Sequence, residues 1–358
     1  MKIWFDDIIY SLQKAGGVSV MWTNITCENP FDTFRLRIEG ATQNMFCETC
    51  SHHNIKYETR RGLKVKRYFN PFLKQEKNPF LFHSSYYRYC TNRYAINITT
   101  VYDFIYEFYR HDIKGIVHKI QKKKAVMHSN GILCISENTK KDLQKIYPKY
   151  NGLIKVVYCG YDTKSFYYEP HEKKKLIISI GDRRAYKRFD LTIKIVKALT
   201  DCRLIIVGGG KLTKEEKTLL DEEIPFRYEK MGYLSNDELR HLYSKAFFLS
   251  YCSDYEGFGI PIIEAQACGC PVVCQPKASI PEVARGSAIY IDSNNMKTSI
   301  NKIKQLYDEN YYGEIVSRGL ENVKRFSWEK CREEVISFYL KVFESKKADS
   351  LRGNGDLN

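Results

Sequence analysis

The stretch "FFLSYCSDYEGFGIPIIEAQACGCPVV", residues 247–273, decides the fold. Its opening run, "FFLSYC", has the length and apolar content of a buried strand. A glycine-rich turn follows. "IPIIEAQACG" then reads as a helix opened by Pro261 and ended near Gly269, since proline suits a first helical turn and glycine suits its exit. "PVVCQ" starts a second strand at once. Strand, helix and strand in such close succession form a βαβ unit, which implies a parallel sheet.

Two glutamates bracket the turn into that helix. Glu256 lies just before it and Glu264 is expected in its first turn. Helix N-termini attract phosphate, ionised carboxylates accept hydrogen bonds from hydroxyl pairs, and glycines let a ligand approach the backbone. A nucleotide sugar, with hydroxyls on both sides of a diphosphate, would meet all three features. Glutamate in a first turn also stabilises a helix unaided, so the pair alone leaves a purely structural reading open.

The pattern continues outward. Before the linker-like segment "TKSFYYEPHEKKK", residues 163–175, apolar runs "KIWFD", "FLFH", "INITTVYD" and "GILCIS" alternate with helical stretches. One of these, "ENTKKDLQKIY", is preceded by Ser136 in N-cap position. After the linker, "KLIISIG", "CRLIIVGGG", "FFLSYC", "PVVCQ" and "SAIYID" alternate with helices such as "FDLTIKIVKALT" and "NDELRHLYSKA". Two amphipathic helices, near 296–310 and 328–345, close the series. Residues 30–80 read as irregular, and the tail 346–358 as disordered for want of an apolar face. These readings give an α/β protein with one parallel-sheet domain over 1–165 and another over 170–327, with a ligand cleft expected between them.

The chain has 358 residues, 43% hydrophobic and 28% charged, enough to bury two cores. No apolar run of spanning length occurs, and the aspartates of "MKIWFDDIIY" interrupt what a signal peptide would need, so a cytoplasmic protein is expected. Net charge is +15, and residues 1–172 alone carry 26 Lys+Arg against 16 Asp+Glu. That excess admits polyanions, phosphorylated small molecules or an anionic membrane face as partners, besides a merely solvated basic surface. The twelve cysteines are scattered, as in reduced, buried thiols. "CETCSHH", Cys47 to His53, has no second pair at zinc-finger spacing, so no metal site is assigned.

"MGYLSNDELRHLYSKAFFLSYCSDYEGFGIPIIEAQACGCPVV", with "SIPEV" after it, resembles the nucleotide-binding half of the family 4 retaining glycosyltransferases of GT-B fold, including their E-x7-E signature. "IGDRRAYKRFDL" resembles the family's G-x-R-x-x-Y-K stretch. "IIYSLQKAGGVSVMW" is similar to its N-terminal glycine pair. "FSWEKCREEVISFYLKVF" is similar to its terminal helix, here about 328–345, which crosses back onto the first domain. The resemblance covers about residues 1–345. It implies two Rossmann-like domains facing each other across a cleft. It also implies transfer of a hexose from a nucleotide diphosphate sugar, with retention, to a hydroxyl of a glycan or lipid-linked acceptor.

The residues it implicates follow position by position. Arg183 and Lys187 would grip the diphosphate, with Gly16 and Gly17 against a donor phosphate. Glu256 would orient the donor sugar and Glu264 the ribose diol. Gly208 and the run Gly257, Phe258, Gly259 and Ile260 would complete the donor site. Tyr102 stands where the family has a histidine, while the following Asp103 is kept. A phenol can hydrogen-bond but cannot become cationic near neutral pH. No cofactor and no metal are expected. The wording of "IIYSLQKAGGVS" and "RAYKRFDL" is similar to that of bacterial surface-polysaccharide mannosyltransferases, which puts GDP-mannose first as donor and a UDP-hexose second, at the inner membrane face.

Other classes stay open at this point. A nucleotide-sugar epimerase would need no acceptor, and a phosphorylase would consume free phosphate. A nicotinamide-dependent oxidoreductase would need the full G-x-G-x-x-G spacing, which "LIIVGGG" lacks. A nucleic-acid-binding protein would explain the charge and the 27 tyrosines, and would bind any oligonucleotide in a salt-sensitive way.

Overall fold

Parallel strands need a crossover of a dozen or more residues between them, and the element order is built that way throughout. The computed structural model describes residues 1–14, 16–38, 44, 46–47, 54–58 and 67–353, with side chains as far as 347. The chain divides into two compact units: residues 1–160 with 328–358, and residues 161–327.

The first unit is a seven-stranded sheet. Its strands are β1 (Lys2–Asp6), β2 (Asp32–Ile38), β3 (Ile55–Glu58), β4 (Phe80–Ser84), β5 (Ala95–Val101), β6 (Gly131–Cys134) and β7 (Leu153–Val156). They lie in the order β3-β2-β1-β4-β5-β6-β7, all parallel. β2 and β3 occupy the stretch expected to be irregular. In β2, "DTFRLRI", Arg35 and Arg37 break the apolar pattern yet are buried. Both pair with buried Asp7, just past β1, at 2.9 Å, and Trp22 Nε1 donates to the same carboxylate at 2.7 Å. Asp6 is held likewise, by Arg88 at 2.5 and 2.8 Å and by Ser84 at 2.7 Å. Buried charge is tolerated where it is paired, although Arg37 Nη2 is left without a hydrogen bond.

The terminal helix, Trp328–Gly353, runs further than the expected 345, so a disordered tail from 346 is corrected as far as Gly353; residues 354–358 lie outside those described. Its residues from Lys341 on include Val342, which packs with Phe338 against Gly131 of β6. Tyr339 reaches His83 of β4, its hydroxyl 2.6 Å from Nδ1, while Nε2 lies 2.9 Å from Thr100 Oγ1. Burial pulls the His83 imidazolium pKa down to about 3, so the ring is neutral and uses one nitrogen as donor and the other as acceptor.

The second unit is a six-stranded parallel sheet of β8 (Leu176–Ile180), β9 (Arg203–Val207), β10 (Tyr228–Met231), β11 (Phe248–Tyr251), β12 (Val272–Cys274) and β13 (Ile289–Tyr290). The order is β10-β9-β8-β11-β12-β13. Helix Phe189–Ala198 buries Leu191, Ile193, Ile195 and Val196 in the same core as Ile177, Leu204 and Phe248. Thr213 and Ser235 cap the helices Lys214–Glu223 and Asn236–Lys245, each in a reciprocal box with a glutamate. A further helix, Glu309–Val323, lies where the sequence reading left a gap. Among the described residues, nine buried cysteines from Cys90 to Cys331 are in no disulfide; Cys27 departs from the reduced-thiol reading in being disulfide-bonded.

Tyr339→Phe leaves a buried His83 nitrogen without its partner. The expected cost is about 1–3 kcal/mol, the penalty for an unsatisfied buried polar group. Urea unfolding followed by tryptophan fluorescence measures it, because Trp22 packs edge-on against His83 at 4.9 Å. An unchanged midpoint would mean that this bond adds nothing to the fold.

Candidate active site

The candidate site residues of the second unit sit where β8, β9 and β11 end. β8 gives way to Gly181, whose φ is +99°, and β9 to Gly208, Gly209 and Gly210, with φ of +70°, +68° and +73°. A side chain at Gly209 would place its Cβ 2.2 Å from the Gly181 carbonyl oxygen, so only glycine fits this crossing. Arg183 ties the two turns together. Its guanidinium pairs with Glu216 at 3.0 Å and donates to the carbonyls of Gly208, Gly209 and Lys211 at 3.4, 3.2 and 3.0 Å. Arg184 is exposed and paired with Asp182 at 3.1 Å.

The next turn brings the cation of the site to its carboxylate. Ala185–Lys187 forms one 3-10 turn, and Arg188 ends it in the left-handed region at φ +50°. The Asp254 N–H donates to the Tyr186 carbonyl at 2.7 Å, fixing this turn against the loop after β11. Lys187 Nζ thereby lies 2.5 Å from Glu256 Oε1 and also faces the Tyr251 ring at 5.6 Å. Ser279 Oγ holds the glutamate's own loop, donating to the carbonyls of Glu256 and Phe258 at 2.9 and 3.0 Å. Asp254 anchors the far side through Lys277 at 2.6 Å and Arg188 at 3.6 Å. Asp254, Lys277 and Ser279 were not singled out from the sequence, because their partners lie in other loops.

Helix Ile260–Ala267 follows, with Gly259 as its N-cap at φ +107° and no side chain capping its first turn. This corrects the position of Glu264. The left-handed glycine lets the helix start at Ile260, ahead of Pro261, so Glu264 falls one turn inside rather than in the first turn. Phe258 packs edge-on against Phe326 at 5.6 Å, which steadies the loop. Glu264 is only partly exposed, and among the described residues its carboxylate makes no hydrogen bond or ion pair. Desolvation, then repulsion from Asp162, pushes its pKa up to about 7. Glu256 is paired and Glu264 is not.

The remaining candidates lie in the first unit. Gly16 is the N-cap of helix Gly17–Thr26, and its carbonyl accepts from Val20 N and Ser19 Oγ, each at 3.0 Å. Tyr102 is buried at the end of β5; burial raises its pKa, with Cys159 and Tyr10 adding to the effect. Asp103 Oδ1 accepts from the Ile105 N–H at 3.0 Å, and its carbonyl accepts from Lys122 at 2.8 Å. Cys47 is buried, and the rest of the Cys47–His53 motif lies outside the described residues. No group of three or more His, Cys, Asp or Glu that could hold a metal occurs among the described residues.

The family model for glycosyl transferases group 1 matches residues 160–340, which takes in the whole of the second unit's site. The chain belongs to that family. O-antigen chain mannosyltransferase B of Escherichia coli is 39% identical over 110 residues, 30% of this chain and 29% of that protein. O-antigen chain mannosyltransferase RfbU of Salmonella typhimurium is 28% identical over 259 residues, 69% of this chain and 71% of that one. Among solved structures, HepE of Anabaena in complex with UDP-glucose matches with a TM-score of 0.70 at 15% identity, over 95% of this chain and 99% of that one. Sucrose-phosphate synthase of Thermosynechococcus elongatus matches at 0.70 and 15%, over 96% and 100%. At such identities the structural likeness concerns the fold, two parallel-sheet units of the GT-B class.

A carboxyl group whose pKa is higher folded than unfolded binds its proton more tightly in the native state. Stability from Glu264 is therefore full below the unfolded pKa, near 4.5, and is lost as pH rises towards about 7. Glu264→Gln should remove that fall. Urea midpoints of both proteins between pH 4.5 and 8 test it; parallel curves would mean that Glu264 titrates as an ordinary carboxylate.

Proposed function

We propose that the protein transfers a hexose from a nucleotide diphosphate sugar, with retained anomeric configuration, to a hydroxyl of a glycan or lipid-linked acceptor. GDP-mannose is the first candidate donor, in keeping with the mannosyltransferases it is similar to, and a UDP-hexose is the second. The observation that carries this reading is the division between the two glutamates: Glu256 is held against a lysine, and Glu264 keeps a carboxylate free for a diol.

Each group has a defined task. As the sugar–phosphate bond breaks, negative charge grows on the diphosphate. Lys187 spends one of its three N–H donors on Glu256 and has others for that charge, and the uncapped first turn adds the backbone N–H groups of Gly259 and Ile260. The second oxygen of Glu256 orients donor-sugar hydroxyls. The departing phosphate takes the acceptor's proton on the face it leaves, which retains configuration without a protein nucleophile. Arg183 acts by holding the Gly208–Gly210 turn in place rather than through free N–H groups. In the first unit, the helix opened by Gly16 and Gly17 offers a phosphate contact, while the burial of Tyr102 favours a packing role for it, with Asp103 capping the turn beyond. No helix among the described residues is long and apolar enough to cross a membrane. The positive charge suits a peripheral position at the inner, anionic membrane face, where a lipid-linked acceptor would be presented.

Calorimetry with GDP-mannose and UDP-hexoses tests the donor site. Glu264→Gln should weaken binding by about 1.5–3 kcal/mol, the value of a charge-assisted hydrogen bond. Wild-type affinity should rise with pH as the carboxyl, titrating near 7, ionises, and that of the Gln variant should stay level. Equal affinities at every pH would remove the diol contact.

Lys187→Ala should lower kcat by ~10²-fold or more, the magnitude of lost transition-state electrostatics. Arg183→Ala should lower the melting temperature as well as turnover, since four bonds to the glycine turns and Glu216 go with it. Sugar transfer at wild-type rate by Lys187→Ala would move the charge-stabilising role to Arg184.

A further inference from the structure

Helix Ile113–Met127 in the first unit has its polarity inverted. Its inward face consists of His118, Gln121, Lys122, Ala125 and Val126, all buried, whereas Ile113, Ile116, Val117, Ile120 and Met127 are exposed. The exposure is not marginal: Ile113 is 80% and Ile120 51% accessible, while Lys122 is 0%. Both sets recur at three- and four-residue steps, so they occupy opposite sides of the helix. A helix that only needed to cover the sheet would place its isoleucines inward.

The Lys122 ammonium and the Gln121 amide N–H find partners inside, which lets the helix sit this way round, while His118 Nδ1 and Gln121 Oε1 are left without a hydrogen bond. Lys122 Nζ pairs with Glu107 at 2.7 Å, donates to the Asp103 carbonyl at 2.8 Å and lies 4.5 Å from the Phe104 ring. Gln121 donates to the Arg67 carbonyl at 2.7 Å, and the His118 ring stacks on Tyr106 at 3.8 Å. Burial, with help from Lys122, pulls His118 down to about 3, so it adds no charge. The outward stripe is flanked by Lys114 on one side and Lys119 and Lys123 on the other, and Lys124 continues its line one turn beyond Ile120. None of these four lysines has an ion pair among the described residues.

We propose that this helix lies in the surface of an anionic lipid bilayer, with Ile113, Ile116, Val117 and Ile120 among the upper acyl chains and the four lysines at the phosphates. The inference rests on the reading that places the protein at a membrane face and names the element responsible. Charge complementarity selects the occupant. A second copy of the chain, docked by two-fold symmetry, would bring lysine rows against each other. A nucleic acid would leave the aliphatic centre uncovered, because its backbone meets charge and its bases stack on aromatic rings. A bilayer supplies hydrocarbon and anions in the same geometry that the helix presents.

Three forms of the full chain test it by co-sedimentation with vesicles of phosphatidylcholine alone or mixed with phosphatidylglycerol. They are wild type, Ile113→Gln/Ile116→Gln/Ile120→Gln and Lys114→Gln/Lys119→Gln/Lys123→Gln/Lys124→Gln. All the replaced side chains are exposed except Lys119, which is half-buried, so folding should survive. Wild type should bind the mixed vesicles at low salt, and each variant should lose about tenfold or more of that partitioning. Retention of the isoleucine variant at the wild-type level would overturn the proposal, as would equal binding of wild type to neutral and anionic vesicles. So would a wild type that ignores vesicles but forms a dimer which the isoleucine variant dissolves. Calorimetry with the nucleotide sugar on the same proteins separates this from the donor reading: loss of nucleotide binding in wild type would defeat that reading without touching the membrane contact.

Discussion

A sheet covered by helices on both faces has nowhere to display polar chemistry except at the ends of its strands, and this constraint shapes the second unit. The bodies of β9 and β11 are apolar and buried, as are Ile177 and Ile178 of β8. Their carboxyl ends open into Gly181, Gly208–Gly210 and the loop 252–259, where positive-φ glycines turn the chain at close quarters. Lys187 and Glu256 meet because the two loops that carry them are bonded through Asp254 and Tyr186. Remove the close crossing of Gly209 over Gly181 and the Arg183 clamp has no carbonyls to hold.

The first unit solves a different problem, that of charge inside a parallel sheet. Asp6 and Asp7 follow one another at the end of β1, and each is neutralised by arginines reached across neighbouring elements, Arg88 for one and Arg35 with Arg37 for the other. Such pairs contribute little net stability compared with apolar packing, yet a missing partner is costly. They therefore fix which strands lie beside β1. The same economy lets helix Ile113–Met127 bury a lysine and keep its isoleucines outside, since Glu107 and the Asp103 carbonyl receive the ammonium.

Periodicity and turn chemistry determined much of this in advance. The apolar runs that became β1, β4, β5, β6, β8, β9, β11 and β12 are legible because parallel strands are hydrophobic on both faces. Capped helices such as Glu137–Ile146, with Ser136 accepting from Thr139 N–H at 3.0 Å, are legible because the cap is local. The family resemblance around Glu256 and Glu264 is likewise written in consecutive residues.

What only the tertiary structure decided concerns partners far apart in the chain. β2 was hidden because Arg35 and Arg37 break its apolar pattern, and the Asp7 that makes their burial possible lies 28 and 30 positions away. Glu264 shifted from the first helical turn because the left-handed Gly259, not Pro261, sets where the helix begins. Arg183 proved to be committed to carbonyls about 25–28 residues on, a use that no local pattern announces. Backbone periodicity is a property of neighbours and can be read along the chain. Which charge is satisfied, and which carboxylate is left free, depends on groups that only folding brings within hydrogen-bonding distance.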